Sequence, residues 1–482
     1  MRPTDPARHT RTRGARLWAG GATILLASVL LIAAPRDRPA AGSDAAASTR
    51  PDVVIIITDD QRADQLGRMP VTSRDLAGTG VRFDQAFASH PLCCPSRIGI
   101  LRGQYAHTTG IYSNDGARGG SAVIRDRGLE ASTLATWLDA AGYRTGLAGK
   151  YFNGYDERTG YVPPGWDYWR GGAPAYYRGT GPSLYPSNQL TRYADEFIRG
   201  TAPDTSLFLY LSYLAPHAPS KPAAKYATDP RCDGITTSTS PSFNEADVSD
   251  KPSPVRTKPL MSAAQQQYIG TTLPRDQCRA LLSVDDGVAT VMQALRETGR
   301  LNNTVLVFMS DHGLFLGEHR IQALKILTYE EAIRIPLVIR YDPLTAGVAS
   351  VDRHLVMNVD IAPTIVDLVG LDVTPGCPVP PYGPCNGGFD GRSLVPILAK
   401  TASDWRSDIL VENHQACGVR TERYAFVRYR TGEEELYDLA ADPHQLSNLL
   451  FGTRTPATTA IRDELFARLK VLCQPPAPGV KF

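Results

Sequence analysis

The sequence predicts an α/β sandwich built around a mainly parallel sheet, followed by a smaller C-terminal α+β subdomain. Three observations carry this. Short β-branched runs end in carboxylates or histidines, as buried parallel strands with functional loops at their C-terminal ends do. Stretches with apolar residues at helical spacing alternate with them. A Pro/Gly-rich stretch at 372–392 then separates these from hairpin-like strands.

The first strand is Pro51-Asp52-Val53-Val54-Ile55-Ile56-Ile57, which runs into Thr58-Asp59-Asp60. Ser206–Ser212 precedes His217, and Thr304–Met309 precedes Ser310-Asp311-His312-Gly313. Ile335–Arg340 is read as a fourth strand of the same kind. Helices are expected at Thr133–Ala141, stopped by Gly142, at Val284–Thr298, stopped by Gly299, and at Val359–Leu368. Residues 216–262, rich in Pro, Ser, Thr and Asp, read as an insertion loop near the site. Tyr424–Tyr429 and Glu435–Leu439 suggest hairpin strands, and Ile461–Leu472 a terminal helix. The expected organisation is a leader at 1–48, the main α/β domain at 49–375 and the subdomain at 376–482.

The leader has five early arginines, an apolar run from Leu17 to Pro35, and small residues after it. This is the pattern of a secretory signal peptide; an uncleaved anchor facing outside is the alternative, because the run is close to spanning length. Without its seven Arg and three Asp, the chain has 44 basic and 46 acidic residues. That balance argues against a nucleic-acid binder.

Eight cysteines suit an exported chain with disulfides. With Cys93 and Cys94 set aside, six remain and allow fifteen pairings. Cys232–Cys278, Cys377–Cys385 and Cys417–Cys473 are plausible close pairs.

Asp59-Asp60 and Asp311-His312 end two strands far apart in sequence. On neighbouring strands they would form an oxygen-rich set suited to one hard divalent cation, Ca²⁺ or the stricter Mg²⁺. Between them lies His90-Pro91-Leu92-Cys93-Cys94-Pro95-Ser96-Arg97. Its Cys-x-Pro-Ser-Arg core resembles the signature of type I sulfatases, in which this cysteine is oxidised to formylglycine. A hydrated aldehyde has two hydroxyls on one carbon. One can attack the sulfur of a sulfate ester, and the other can lose its proton and expel the sulfate by C–O cleavage.

The resemblance extends over residues 51–450. It is carried by Ile57-Thr58-Asp59-Asp60-Gln61, Cys93–Arg97 with Leu101-Arg102-Gly103, Gly149-Lys150, and Pro216-His217-Ala218-Pro219. Leu316-Gly317-Glu318-His319, Lys325, Tyr329–Leu337 and Glu435–Leu439 continue it. It implies an alkaline-phosphatase-like fold and Ca²⁺ held by Asp59, Asp60, Asp311, His312 and the oxidised Cys93. It also implies a sulfated carbohydrate or other sulfate monoester as substrate, and a formylglycine-generating enzyme as maturation partner. Arg97 would hold the nucleophile's hydroxyl, Lys150 and Lys325 would bind sulfate oxygens, and His217 would hydrogen-bond the bridging oxygen or protonate the leaving alcohol.

One departure stands out. Many sulfatases read Gly-Lys-x-His, whereas Gly149-Lys150-Tyr151-Phe152-Asn153 has no histidine two after the lysine. The Gly-Lys-Tyr-x-Asn form, with a Cys-Cys-Pro-Ser-Arg core, is similar to N-acetylglucosamine-6-sulfatases. Asn153 could contact substrate or nucleophile but cannot act as a base, so the base for sulfate release is left open. The competing functions are a phosphomonoesterase or phosphodiesterase of the same superfamily and a non-catalytic sulfated-glycan-binding protein.

Overall fold

The computed structural model describes residues 50–172, 181, 184–345, 347–376, 387–476 and 479–482. The leader and the Cys377–Cys385 pair lie outside these residues. In chain order the strands are β1 (Asp52–Asp59), β2 (Val81–Phe83), β3 (Ala86–Phe87), β4 (Arg144–Gly149), β5 (Tyr168–Gly171), β6 (Leu207–Pro216), β7 (Thr304–Ser310), β8 (Leu337–Arg340), β9 (Ser350–Asp352), β10 (Val356–Met357), β11 (Asp408–Glu412), β12 (Ala416–Thr421), β13 (Tyr424–Tyr429) and β14 (Glu434–Asp438).

The main sheet has the order β5-β4-β6-β1-β7-β8-β2-β9. β1 pairs in parallel with both β6 and β7, so the ends of these three strands meet at one edge. Only β8 runs against the others: it is antiparallel to β7 and to β2. This corrects the expectation for Ile335–Arg340. The chain between β7 and β8 has no helix long enough to carry it back across the sheet. The strand therefore starts from the end where β7 stopped, and its C-terminus points away from the site.

β1 is fully buried because both faces of the sheet are covered. Val53, Ile55 and Ile57 pack on one side with residues of the helices Cys93–Arg102, Leu134–Ala140 and Ile361–Leu368. Val54 and Ile56 pack on the other with residues of Pro186–Arg199 and Leu273–Glu297. A strand covered on two faces has no polar side to alternate, hence its unbroken apolar run. The helix expected from Val284 begins earlier, at Leu273, with Pro274 in its first turn.

β11–β14 form an antiparallel sheet. One face packs against the terminal helix Pro456–Leu472 through Leu410, Val419, Phe426, Leu465 and Leu469. The other packs, through Val427, Tyr429 and Tyr437, on Phe315, Leu327 and Tyr329 of the segment between β7 and β8. Two predicted disulfides are present, Cys232–Cys278 and Cys417–Cys473. The first ties the 216–262 insertion, which contains only short turns, to the long helix Leu273–Glu297.

Candidate active site

Asp59 and Asp60 stand where β1 ends, and Asp311 and His312 where β7 ends. Asp60 takes a left-handed conformation, with φ 68°, and its N–H donates to Asp311 Oδ1 at 3.2 Å. Aspartate tolerates that region better than most side chains. Cys93 opens the helix Cys93–Arg102, all ten residues of which are buried. The positive end of this helix thus faces the carboxylates.

Cys93 Sγ lies 3.7 Å from Asp59 Oδ1, 3.4 Å from His312 Nε2 and 3.6 Å from Lys325 Nζ. One turn later in the helix, Arg97 donates from Nε to Asp311 Oδ2 at 2.9 Å and from Nη2 to Asp59 Oδ2 at 3.2 Å. Its Nη1 donates to Ser212 Oγ at 2.6 Å. Ser212, in β6, had no sequence signal: it is an ordinary serine in an apolar strand. Ser96 fixes the helix from another direction, donating to the Asp311 carbonyl and accepting from Asn358 Nδ2 at 2.8 Å.

Lys150 follows β4 and pairs with Asp59. Only glycine fits before it, because φ at Gly149 is 113° and a Cβ there would lie 1.9 Å from the Ser212 carbonyl oxygen. Lys325 Nζ reaches Asp60 Oδ1 at 2.5 Å. His217, just past β6, is a third exposed; its Nε2 is 3.7 Å from Asp60 Oδ2. Its Nδ1 lies 2.8 Å from the Ala218 carbonyl, which can only accept, so Nδ1 carries a proton. Asn153 does not touch residue 93: its N–H and its amide oxygen contact the neighbouring Cys94.

The charges answer one another. Burial opposes ionisation of Asp59, but Lys150 and Arg97 hold its carboxyl well below the usual range. Burial likewise opposes Asp60, which Lys325 brings down. Burial works against a charged His312, yet Asp311 raises it to about 9. Burial and Asp59 push the Cys93 thiol up; Lys150, Lys325 and His312 outweigh them and hold it below its ordinary value. At Cys94 burial and the neighbouring Cys93 outweigh the contacts that oppose them and push the thiol up to about 12.

The donor set suits a hard cation. Asp59, Cys93, Asp311 and His312 each place one ligand atom within 4.8 Å of the others, as do Asp59, Asp60 and His217. Carboxylates this deeply buried require positive charge beside them. The cluster can hold a divalent ion, with Lys150, Lys325 and Arg97 supplying the remaining compensation.

Comparison with known proteins accounts for this arrangement. A family model described as Sulfatase matches residues 51–371, and one described as N-sulphoglucosamine sulphohydrolase, C-terminal, matches 317–474. The human N-acetylglucosamine-6-sulfatase is 30% identical over 391 residues, which cover 76% of this chain and 68% of that protein. An extracellular sulfatase SULF-1 homolog of Drosophila melanogaster is 30% identical over 396 residues, covering 77% of this chain. The match spans only 34% of that relative's length. A solved structure, in complex with its substrate D-glucosamine-2-N,6-O-disulfate, superposes with TM-score 0.67 at 23% identity, covering 88% of this chain and 98% of that one. At that identity the likeness establishes the fold, an alkaline-phosphatase-like sandwich.

Proposed function

The chain belongs to the sulfatase family, and from that premise we propose that it hydrolyses sulfate monoesters of a sulfated sugar. The observation that carries this reading is the placement of Cys93 at a helix N-terminus, inside a ring of Asp59, Asp60, Asp311, His312, Lys325 and Arg97. The names of the relatives support a glucosamine-type sulfate as the substrate class.

Ca²⁺, with Mg²⁺ as the alternative, bound by Asp59, Asp60, Asp311 and His312, would offset charge on a sulfate oxygen. Formylglycine made from Cys93 by a formylglycine-generating enzyme would supply the nucleophile. The chain's own groups do the rest. Arg97, locked by two carboxylates and Ser212, cannot swing away and so fixes the helix end that presents residue 93. Lys150 and Lys325 flank that residue and remain protonated, because Asp59 and Asp60 outweigh the burial that opposes their charge. They present ammonium donors where negative charge on sulfate grows. His217, on the open side, is placed to hydrogen-bond the bridging oxygen and protonate the departing alcohol.

Secretion is part of the proposal: it fits the leader pattern, the disulfides and the extracellular relative. Among the described residues no helix is long and apolar enough to cross a membrane. The proposed domain division is the one expected from sequence, 49–375 and 376–482. Paired assays on nitrophenyl sulfate and nitrophenyl phosphate, with the mass of the Cys93 peptide, test the activity. Faster phosphate turnover by unmodified protein would favour a phosphoesterase, and no turnover of either ester would favour a binding protein.

A further inference from the structure

Adjacent cysteines 93 and 94 face different surroundings. Cys93 belongs to the charged cluster. Cys94 is fully buried and points at the loop after β4. Its Sγ accepts from the Asn153 N–H at 3.2 Å and lies 3.6 Å from Asn153 Oδ1, where the thiol donates. Its own N–H donates to Asn114 Oδ1 at 2.8 Å. The Asn153 carbonyl in turn accepts from the Ser121 N–H at 2.8 Å. At the other end of this short loop, the Lys150 N–H donates to the Ser212 carbonyl at 2.9 Å. Among the described contacts, the thiol is the side chain that couples the helix of the nucleophile to both the backbone and the amide of Asn153.

We propose that Cys94 is a positioning residue: its thiol sets the Asn153 end of the Lys150–Asn153 loop, and so aims the Asn153 amide at substrate. This rests on the sulfatase reading and on the substrate contact that the Gly-Lys-Tyr-x-Asn motif implies for Asn153. The function needs a group that accepts from one N–H and donates to one carbonyl oxygen at once. A thiol does both, its sulfur accepting from the Asn153 N–H while its S–H donates to Oδ1. Serine can do the same, whereas alanine and valine cannot.

The test uses full-length protein with conversion of Cys93 measured by mass and rates normalised to the converted fraction. Cys94→Ala should raise KM for N-acetylglucosamine 6-sulfate about 3–10-fold, the worth of a hydrogen bond or two, with kcat on nitrophenyl sulfate nearly unchanged. Cys94→Ser should restore most of the loss and Cys94→Val should not. The double variant with Asn153→Ala should be no worse than Asn153→Ala alone, because coupled residues are non-additive. Hydrogen exchange gives a readout independent of activity: the peptide spanning 150–153 should lose protection in Cys94→Ala and regain it in Cys94→Ser. Unchanged protection and KM, rescue by valine, or additive losses would overturn the proposal. Parental inactivity on both sulfates with the exchange pattern intact would remove the sulfatase reading and leave the positioning role standing.

Discussion

His312 Nε2 and Cys93 Sγ stand 3.4 Å apart, although 219 residues separate them in the chain. The Nδ1 of the same ring lies 2.9 Å from the Gly313 carbonyl, so Nδ1 carries a proton and Nε2 is turned to the sulfur. The end of β7 and the first turn of a core helix therefore define one point in space.

Cys93, not Cys94, is expected to be the oxidised residue. Pro95 and Arg97 stand at the signature spacing from Cys93, and only Cys93 lies within the charged cluster. Peptide mass spectrometry should show loss of the thiol at position 93 alone. Cys93→Ala should remove nearly all turnover, while Cys94→Ser retains much of it. The reverse pattern would refute the assignment.

Exhaustive chelation should abolish turnover, and Ca²⁺ or Mg²⁺ should restore it. The ion should also raise Tm in a concentration-dependent way, since a ligand of the native state alone stabilises it. Asp311→Asn should weaken both effects. Full activity in a verified metal-free preparation would rule the ion out.

His217→Ala should be far more harmful on a sugar sulfate than on nitrophenyl sulfate. A sugar alkoxide leaves poorly without a proton, whereas nitrophenolate hardly needs one. General-acid help is worth about 10²–10⁴-fold, so the difference between the two defects should approach that range. Asn153→Ala should instead weaken turnover of both esters, or chiefly binding. Equal His217→Ala losses on both esters, with sulfate release not limiting, would take His217 out of the acid role.

Glu435, 1% exposed, accepts from the hydroxyls of Tyr329 and Tyr437 at 2.5 Å and of Tyr429 at 2.6 Å. Glu435→Leu would orphan three buried hydroxyls at about 1–3 kcal/mol each, and urea titration should show a loss of several kcal/mol. Burial, only partly offset by these hydroxyls, raises the Glu435 carboxyl above its ordinary value. The folded chain therefore binds this proton more tightly than the unfolded one. The contribution of Glu435 to stability is fully present below the unfolded value and declines as pH rises towards the folded one. Glu435→Gln should flatten that part of the stability–pH curve; an unchanged slope would contradict the assignment.

β1 and β7 were legible because strands covered on both faces read as apolar runs, and the residues that end them stand out for the same reason. β4 was not: Arg144-Thr145-Gly146-Leu147-Ala148-Gly149 has no such run, since Phe197 and Ser212 crowd its glycines. The helix Cys93–Arg102 left no helical signature because it is buried on every side and so has no polar face. The direction of β8 depends on the length of a connection, not on the composition of the strand. Ser212 and Asn358 act through geometry alone. The cysteine pairs at 232–278 and 417–473 were within reach of spacing arguments, but the role of Cys94 was not: its partner lies 59 residues away.

The depth of Cys93 has a consequence for the order of events in the cell. With 1% of its surface accessible, at the start of a helix packed on every side, the thiol is closed to any enzyme once the chain has folded. The conversion proposed for Cys93 would then have to precede docking of that helix. Under that proposal synthesis would become a race between a catalyst and collapse of the core, and a molecule that folded first would be sealed in its unconverted form. The fraction of working protein would be set by timing during biogenesis, and no later exposure to the catalyst could raise it without unfolding.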